Sequence, residues 1–116
     1  MFDINGNGII TVSRGDSFTI NTSINIGTLL VPVYYTLEEG DKVYFALMEP
    51  NQPFEHALVR KVFTKEDQDK DLDVVMNFSS DDTEFLMPGV YYYMVKLQRG
   101  DLVDTIITKT KFVIND

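Results

Sequence analysis

The sequence predicts an all-β fold, an antiparallel two-sheet sandwich of about seven or eight strands. Short runs of alternating apolar and polar residues recur at intervals of roughly 8–12 residues, with Gly, Pro, Asn and Asp between them. The chain has 116 residues and is 44% hydrophobic, so we expect one folded domain spanning residues 1–116. A closed barrel is the alternative arrangement of the same strands.

The most strand-like run is residues 90–98, which follows a Pro88-Gly89 turn. Pro88 fixes its own φ and Gly89 tolerates a positive φ, so the chain can reverse there before an extended segment begins. Alternation at period two places one set of side chains on the inner face, namely Tyr91, Tyr93, Val95 and Leu97. We therefore expect this strand to be central.

The other predicted strands are, in order, 9–13, 17–25, 42–49, 56–64, 72–78, 102–108 and 111–114. Residues 26–36 are apolar, but Pro32 cannot donate to a ladder, so an edge strand or an irregular crossing segment is expected. Both faces of 56–64 carry apolar residues, so the sequence does not indicate which face of this strand points to the core. Residues 79–83 are expected to cap a short turn that holds Phe85 and Leu86, which we interpret as one helical turn. The charged run 65–71 is expected to be a solvated loop.

Two short motifs invite specific functions that their surroundings do not support. Residues 3–10 match the first half of a calcium-binding EF-hand loop, but Arg14 stands where the loop needs a bidentate Glu. Arg-Gly-Asp occurs at 14–16 and again at 99–101, each time between apolar alternating runs. Such Gly-Asp pairs are ordinary turn residues, so we interpret both as turns rather than as integrin ligands.

The residue inventory contains no catalytic, cofactor or metal-binding constellation. The chain has no cysteine, which excludes disulfides and thiolate chemistry, and it has a single histidine, His56. No Gly-x-Ser-x-Gly elbow accompanies His56, so we expect an ordinary surface or half-buried histidine. No catalytic, cofactor-binding or metal-binding residue is predicted.

The acidic balance restricts the partners. A formal net charge of −8 and a pI near 4.4 disfavour binding to nucleic acid phosphates or to an anionic membrane surface. No apolar run is long enough to span a bilayer, and the first residues lack a secretory pattern, so synthesis in the cytoplasm is expected. The acidity either serves solubility alone or provides a surface that fits a basic groove.

One candidate interface follows from the outer faces of two strands. Strand 42–49 is expected to face the core through Val43, Phe45 and Leu47, and strand 90–98 through the inner face named above. The large side chains at the intervening positions then point outward. These are Tyr44, Met48, Tyr92 and Met94. Should the two strands be neighbours, the four would form an exposed apolar patch suited to protein binding rather than catalysis. The alternative is that a loop or lysine stems cover them.

Several turn and strand patterns resemble those of one protein family. They are found in residues 10–20, 39–45, 82–83, 86, 88–89, 91–93, 105–107 and 112–114. In these stretches the chain resembles small β-sandwich proteins of bacteriophages and prophages, in particular the immunoglobulin-like N-terminal domain of baseplate upper proteins. The resemblance implies an immunoglobulin-like sandwich that acts in the virion, at a tail tip or baseplate, through protein–protein contacts.

The resemblance also implies the partners, which are other phage structural proteins or further copies of the chain. Baseplate upper proteins continue into segments that oligomerise or bind receptors, whereas this chain ends at Asp116. We therefore expect a stand-alone adaptor or the same scaffold in another use. The main alternative is an acidic phage-encoded inhibitor that binds a basic surface of a host defence or nucleic-acid-processing enzyme in the cytoplasm. A carbohydrate-binding module is a further alternative, since aromatic faces stack on sugars.

Overall fold

The computed structural model describes residues 3–4 and 8–116, and within them it contains eight β-strands and three single-turn 3₁₀ helices. The strands are β1 (Asp3–Ile4), β2 (Ile10–Ser13), β3 (Phe18–Ser23), β4 (Lys42–Met48), β5 (Val59–Phe63), β6 (Asp73–Phe78), β7 (Gly89–Arg99) and β8 (Leu102–Asn115). The 3₁₀ helices span Phe54–His56, Lys65–Asp67 and Ser80–Asp82. The prediction of an all-β fold is confirmed.

The strands form a six-stranded and a two-stranded sheet. The order is β1-β2-β8-β7-β4-β5 in the large sheet, while β3 and β6 pair in the small one. β2 runs parallel to β8, with Ile10 opposite Phe112, so the prediction of purely antiparallel pairing is wrong at this pair. A hairpin enforces antiparallel pairing, whereas β2 and β8 are joined by most of the chain and either direction is accessible.

The two sheets share one apolar core, which aromatic rings connect across the interior. The ring of Phe45 on β4 lies 4.8 Å from that of Phe78 on β6, and Phe18 on β3 lies 5.9 Å from Phe112 on β8. The predicted inner faces of β4 and β7 are confirmed. Val43, Phe45, Leu47, Tyr91, Tyr93, Val95 and Leu97 are all buried.

Two predicted strand boundaries are wrong by more than two residues. Residues 102–108 and 111–114 belong to one strand, because Thr110 and Lys111 continue the ladder with Tyr93 and Tyr92. The pairing of β7 with β8 shifts register on both sides of Val95, but neither strand ends there. The strand predicted from residue 56 begins only at Val59, since a 3₁₀ turn precedes it.

The structure resolves what the sequence left open for β5 and for residues 26–36. Val59 and Phe63 of β5 are buried while Val62 is 48% exposed, so the inner face is the one that includes Val59, Lys61 and Phe63. Residues 26–36 form an irregular segment, as one of the two alternatives predicted, with a single bridge between Asn25 and Tyr34.

A buried carboxylate fixes the turn that leads into β4. Asp41 is only 7% exposed, and its Oδ2 accepts a 2.6 Å hydrogen bond from the Tyr35 hydroxyl and a 2.9 Å bond from the Glu38 amide. The hydrogen bond to Asp41 is the main cause that raises the pKa of Tyr35 to about 12. The protonated phenol is therefore part of the folded state.

Tyr35 should make part of the stability of the fold depend on alkaline pH. Its folded pKa lies above the unfolded value of about 10, so its contribution is complete below pH 10 and is lost as pH rises through about 12. We expect Tyr35→Phe to lower the free energy of unfolding by about 1–2 kcal/mol near neutral pH, because Asp41 loses a donor. Urea unfolding from pH 7 to alkaline pH should show this difference shrinking above pH 10, and a constant difference would contradict the account.

Candidate protein interface

The predicted outward patch on β4 and β7 does not exist as a continuous exposed surface. The two strands are neighbours, as the patch required, and Met48 lies opposite Tyr92. Met48, however, is fully buried, and Tyr44, Tyr92 and Met94 are only partly exposed. The prediction of four exposed side chains is therefore wrong for Met48, and it overstates the exposure of the other three.

The segment between β4 and β5 explains this outcome. Its 3₁₀ turn packs against β4, and the Lys96 Nζ lies 4.4 Å from the centre of the Phe54 ring. Lys109 donates from its Nζ to the carbonyl oxygens of Pro50, at 3.4 Å, and Gln52, at 3.0 Å. A loop and lysine stems therefore cover much of this face, in line with the alternative stated for it.

The remaining sequence motifs occupy turns. Arg14-Gly15-Asp16 joins β2 to β3, with Gly15 at φ +82° and the Asp16 amide bonded to the Ser13 carbonyl at 3.1 Å. The second Arg-Gly-Asp forms the tight turn between β7 and β8, where Arg99 pairs with Leu102. Both are confirmed as turns. In the calcium-loop-like stretch, residues 5–7 lie outside the described residues.

The single histidine and the charged run occupy surface turns of the described structure. His56 is exposed at the end of a 3₁₀ turn, not at a strand start as predicted. Across 3–4 and 8–116, no group of three or more His, Cys, Asp or Glu side chains is placed to hold a metal ion. The charged run 65–71 contains a 3₁₀ turn in which the Asp67 carboxylate accepts from the Thr64 amide at 2.9 Å.

The most exposed apolar side chains lie instead on residues 25–35, which we name the apolar loop. Leu29 is 97% exposed and Leu30 is 93% exposed, so neither contributes to the core. Four more large apolar side chains of the loop are also exposed, namely Ile26, Val31, Val33 and Tyr34. Contiguous apolar groups of this kind on a folded protein mark an interaction site.

The apolar loop is held in shape by its own polar groups. The Asn25 Oδ1 accepts from the amides of Gly27, at 2.9 Å, and Val33, at 3.0 Å, while its Nδ2 donates to the Thr28 carbonyl at 3.3 Å. Thr28 also accepts from the Val31 amide through its hydroxyl, at 2.9 Å. The two leucines are thus presented by a preorganised turn, which reduces the entropy lost on binding.

Gly27 is required by this geometry, and replacing it tests the preorganisation. A Cβ at Gly27 would lie 2.4 Å from the Val31 carbonyl oxygen and 2.8 Å from the Val33 amide nitrogen. We expect Gly27→Ala to rearrange the apolar loop while the core stays intact. Amide chemical shifts should change across residues 25–35 and remain unchanged in β4 and β7, whereas an unperturbed loop would contradict the described contacts.

A groove lies beside the base of the apolar loop. It has a volume of about 470 Å³ and separates β3 from the middle of β8. Its lining comprises Gly8, Ile20, Asn21, Thr22, Ser23, Asn25, Tyr93, Ile106, Ile107 and Thr110. Ile106 and Ile107 are half-buried against the core, and among the described strands only β6 pairs with β3. The groove is therefore partly apolar, and β3 forms one of its walls.

The loop and the groove carry no charge, in contrast to the rest of the molecule. No charged residue occurs between positions 17 and 37, although 24% of the chain is charged, and none lines the groove. We call the apolar loop and the groove together the neutral surface. Asn25 belongs to both, so the two parts are adjacent. From the sequence we expected an edge strand or an irregular crossing segment at 26–36 and did not predict this surface, although the absence of charge over 17–37 was visible.

Comparisons of the chain with protein-family models, with curated proteins and with solved structures found no match. Within the described part of the chain, no helix has the length and apolar character that crossing a bilayer requires.

Proposed function

We propose that this chain is a non-enzymatic structural or adaptor protein of a bacteriophage tail tip or baseplate, and that it assembles through the neutral surface. The observation that carries the proposal is the almost complete exposure of Leu29 and Leu30 on a preorganised loop. Burying each of these two leucine side chains against a partner contributes about 2 kcal/mol to the free energy of binding. Their exposure therefore favours the bound protein over the free one. Such a surface suits lasting protein–protein contact.

The strand order supports an immunoglobulin-like sandwich for this module. The adjacency β8-β7-β4-β5 corresponds to the G-F-C-C′ sheet of that fold, and the β3-β6 pair corresponds to strands B and E. The Tyr91 hydroxyl, near the start of β7, donates a 2.6 Å hydrogen bond to the Met87 carbonyl four residues earlier. A tyrosine at the start of strand F makes the same kind of bond in immunoglobulin-like domains.

The resemblance to baseplate upper proteins supplies the virion location and the partners in this proposal. Phage particles are built from proteins present in fixed copy numbers, so the chain should occur in the virion beside other tail proteins. Fold likeness alone does not define a function. The proposal therefore rests on the exposed neutral surface together with the resemblance.

Quantitative mass spectrometry of purified particles induced from the source strain tests the proposal. We expect the chain at a constant ratio to the tail-tube protein across preparations and after a density gradient. Abundant free chain in the lysate together with none in the particles would overturn the structural function.

A second function is favoured by a separate, acidic surface. The Lys65 Nζ lies 2.8 Å from a Glu39 carboxylate oxygen and joins the turn 38–41 to the charged run 65–71. This contact gathers several acidic side chains in one region, including Glu38, Glu39 and Glu66. An inhibitor of a basic host defence or nucleic-acid-processing enzyme would use this region, and its affinity would fall as salt screens the attraction.

A further inference from the structure

We propose that the neutral surface is self-complementary and that its partner is a second copy of this chain. In this dimer the apolar loop of each copy lies in the groove of the other. The inference rests on the proposed function, since it names the partner of the same surface. It requires a protrusion and a concavity of matching chemistry, and the molecule presents both.

The two parts match in polarity. The apolar loop offers Leu29 and Leu30, which are almost fully exposed, and the groove offers the half-buried Ile106 and Ile107. Neither part contains a charged side chain. Arg99 and Asp104 line a pocket beside Asn25 and Ile106, but they pair with each other at 2.8 Å, so no unpaired charge is buried when loop and groove meet. The polar groove residues Asn21 and Ser23 are exposed and can bond to the loop backbone.

The adjacency of loop and groove favours two-fold symmetry. Asn25 holds the base of the apolar loop and also lines the groove, so both parts lie on one side of the molecule. A two-fold axis beside Asn25 would place each loop against the other copy's groove, and both contacts would form at once. This is an isologous interface, which closes as a dimer and leaves no open end for a filament.

The net charge of the chain also favours self-association through the neutral surface. Each copy carries −8, so two copies repel wherever their acidic surfaces face each other. The neutral surface lets them approach without placing like charges in contact. Added salt should therefore strengthen the dimer by screening the remaining repulsion, whereas it would weaken an acidic inhibitor bound to a basic enzyme.

Analytical ultracentrifugation of the wild-type chain at several protein and salt concentrations tests the inference. We expect a monomer–dimer equilibrium with a dissociation constant that falls as salt rises. Leu30→Asp on the loop and Asn21→Lys in the groove should each weaken the dimer by about 100-fold. Val62→Asp is the matched control, because Val62 is 48% exposed on β5 outside the neutral surface, and it should leave the constant unchanged.

Mixing the two variants gives the sharpest test. In an equimolar mixture the altered loop of one copy meets the altered groove of the other, with opposite charges, while the second contact is between unaltered parts. A heterodimer tighter than either variant's homodimer is expected. A wild-type chain that stays monomeric at every concentration and salt, or a mixture with no gain, would overturn the inference.

The outcomes separate this inference from the proposed function. A monomeric chain found at a fixed ratio in particles would overturn the dimer and leave the structural function standing. A dimer that is absent from particles would support the self-complementary surface and contradict the virion assignment.

Discussion

A Leu29→Asp, Leu30→Asp double variant should remain folded and should be lost from phage particles. Both side chains are almost fully exposed, so their replacement removes no core contact, and we expect the free energy of unfolding to change by less than about 0.5 kcal/mol for each substitution. At the interface, two carboxylates would be buried against apolar groups without a partner, which is strongly unfavourable. Complementation of a deletion prophage followed by quantitative proteomics of the particles measures the effect.

The matched control replaces exposed apolar residues outside the neutral surface. Met87 is 73% exposed and Leu102 is 64% exposed, and neither lines the groove or belongs to the apolar loop. A Met87→Asp, Leu102→Asp variant should enter particles at the wild-type ratio. If the loop variant also enters at that ratio, the apolar loop does not carry assembly.

Replacing Phe45 by Ala should produce the largest loss of stability that we predict for a single substitution. Phe45 is 1% exposed, and its ring lies between those of Phe78, at 4.8 Å, and Tyr93, at 5.6 Å. Truncation would remove contacts with both sheets and leave a cavity, at a cost of about 3–5 kcal/mol. Since a domain of this size is stable by about 5–15 kcal/mol, urea denaturation should show a much lower midpoint.

Phe85 provides the corresponding control. Its side chain is 63% exposed although it is next to the buried Leu86 in sequence. Phe85→Ala should change the free energy of unfolding by less than about 0.5 kcal/mol. Equal losses for the two variants would contradict the described core.

The part of the fold that the sequence predicted is the part governed by local patterns. Alternation at period two fixed the inner faces of β4 and β7, because one slip would expose a whole row of large side chains. The Pro88-Gly89 pair marked the start of β7, which begins at Gly89, although the turn residues lie earlier, at 83–85. The polar run 79–83 was expected to cap a helical turn at Phe85 and Leu86, but the helical turn is Ser80–Asp82 itself, where the Asp82 carboxylate accepts from the Ser79 amide at 2.7 Å.

What the sequence did not predict depends on contacts between distant segments. Periodicity contains no information on strand direction, so the parallel pairing of β2 with β8 was missed. The burial of Met48 depends on where the segment after β4 folds back, which its polar and Pro residues do not specify. Residues 102–108 and 111–114 were predicted as separate strands, yet the ladder with β7 continues through Thr110 and Lys111.

The candidate site was missed for a related reason. Exposed apolar residues look the same in a sequence as core residues, so Leu29, Leu30 and Val31 were interpreted only as part of an edge strand or crossing segment. Their exposure follows from the hydrogen bonds of Asn25 and the tight approach at Gly27, which turn the segment away from the core. The absence of charge over 17–37 was visible but equally compatible with a buried strand pair.

The salt dependence of capture tests most directly whether this chain works through its neutral surface or through its acidic one. Immobilised wild-type chain would be incubated with disassembled particles and with host lysate, at low and at high salt. We predict that copies of the chain from the particles, with the phage tail proteins bound to them, are retained at both salt concentrations, because apolar contacts are not screened. Retention only of basic host enzymes, lost at high salt, would contradict the account and identify the acidic region as the functional surface.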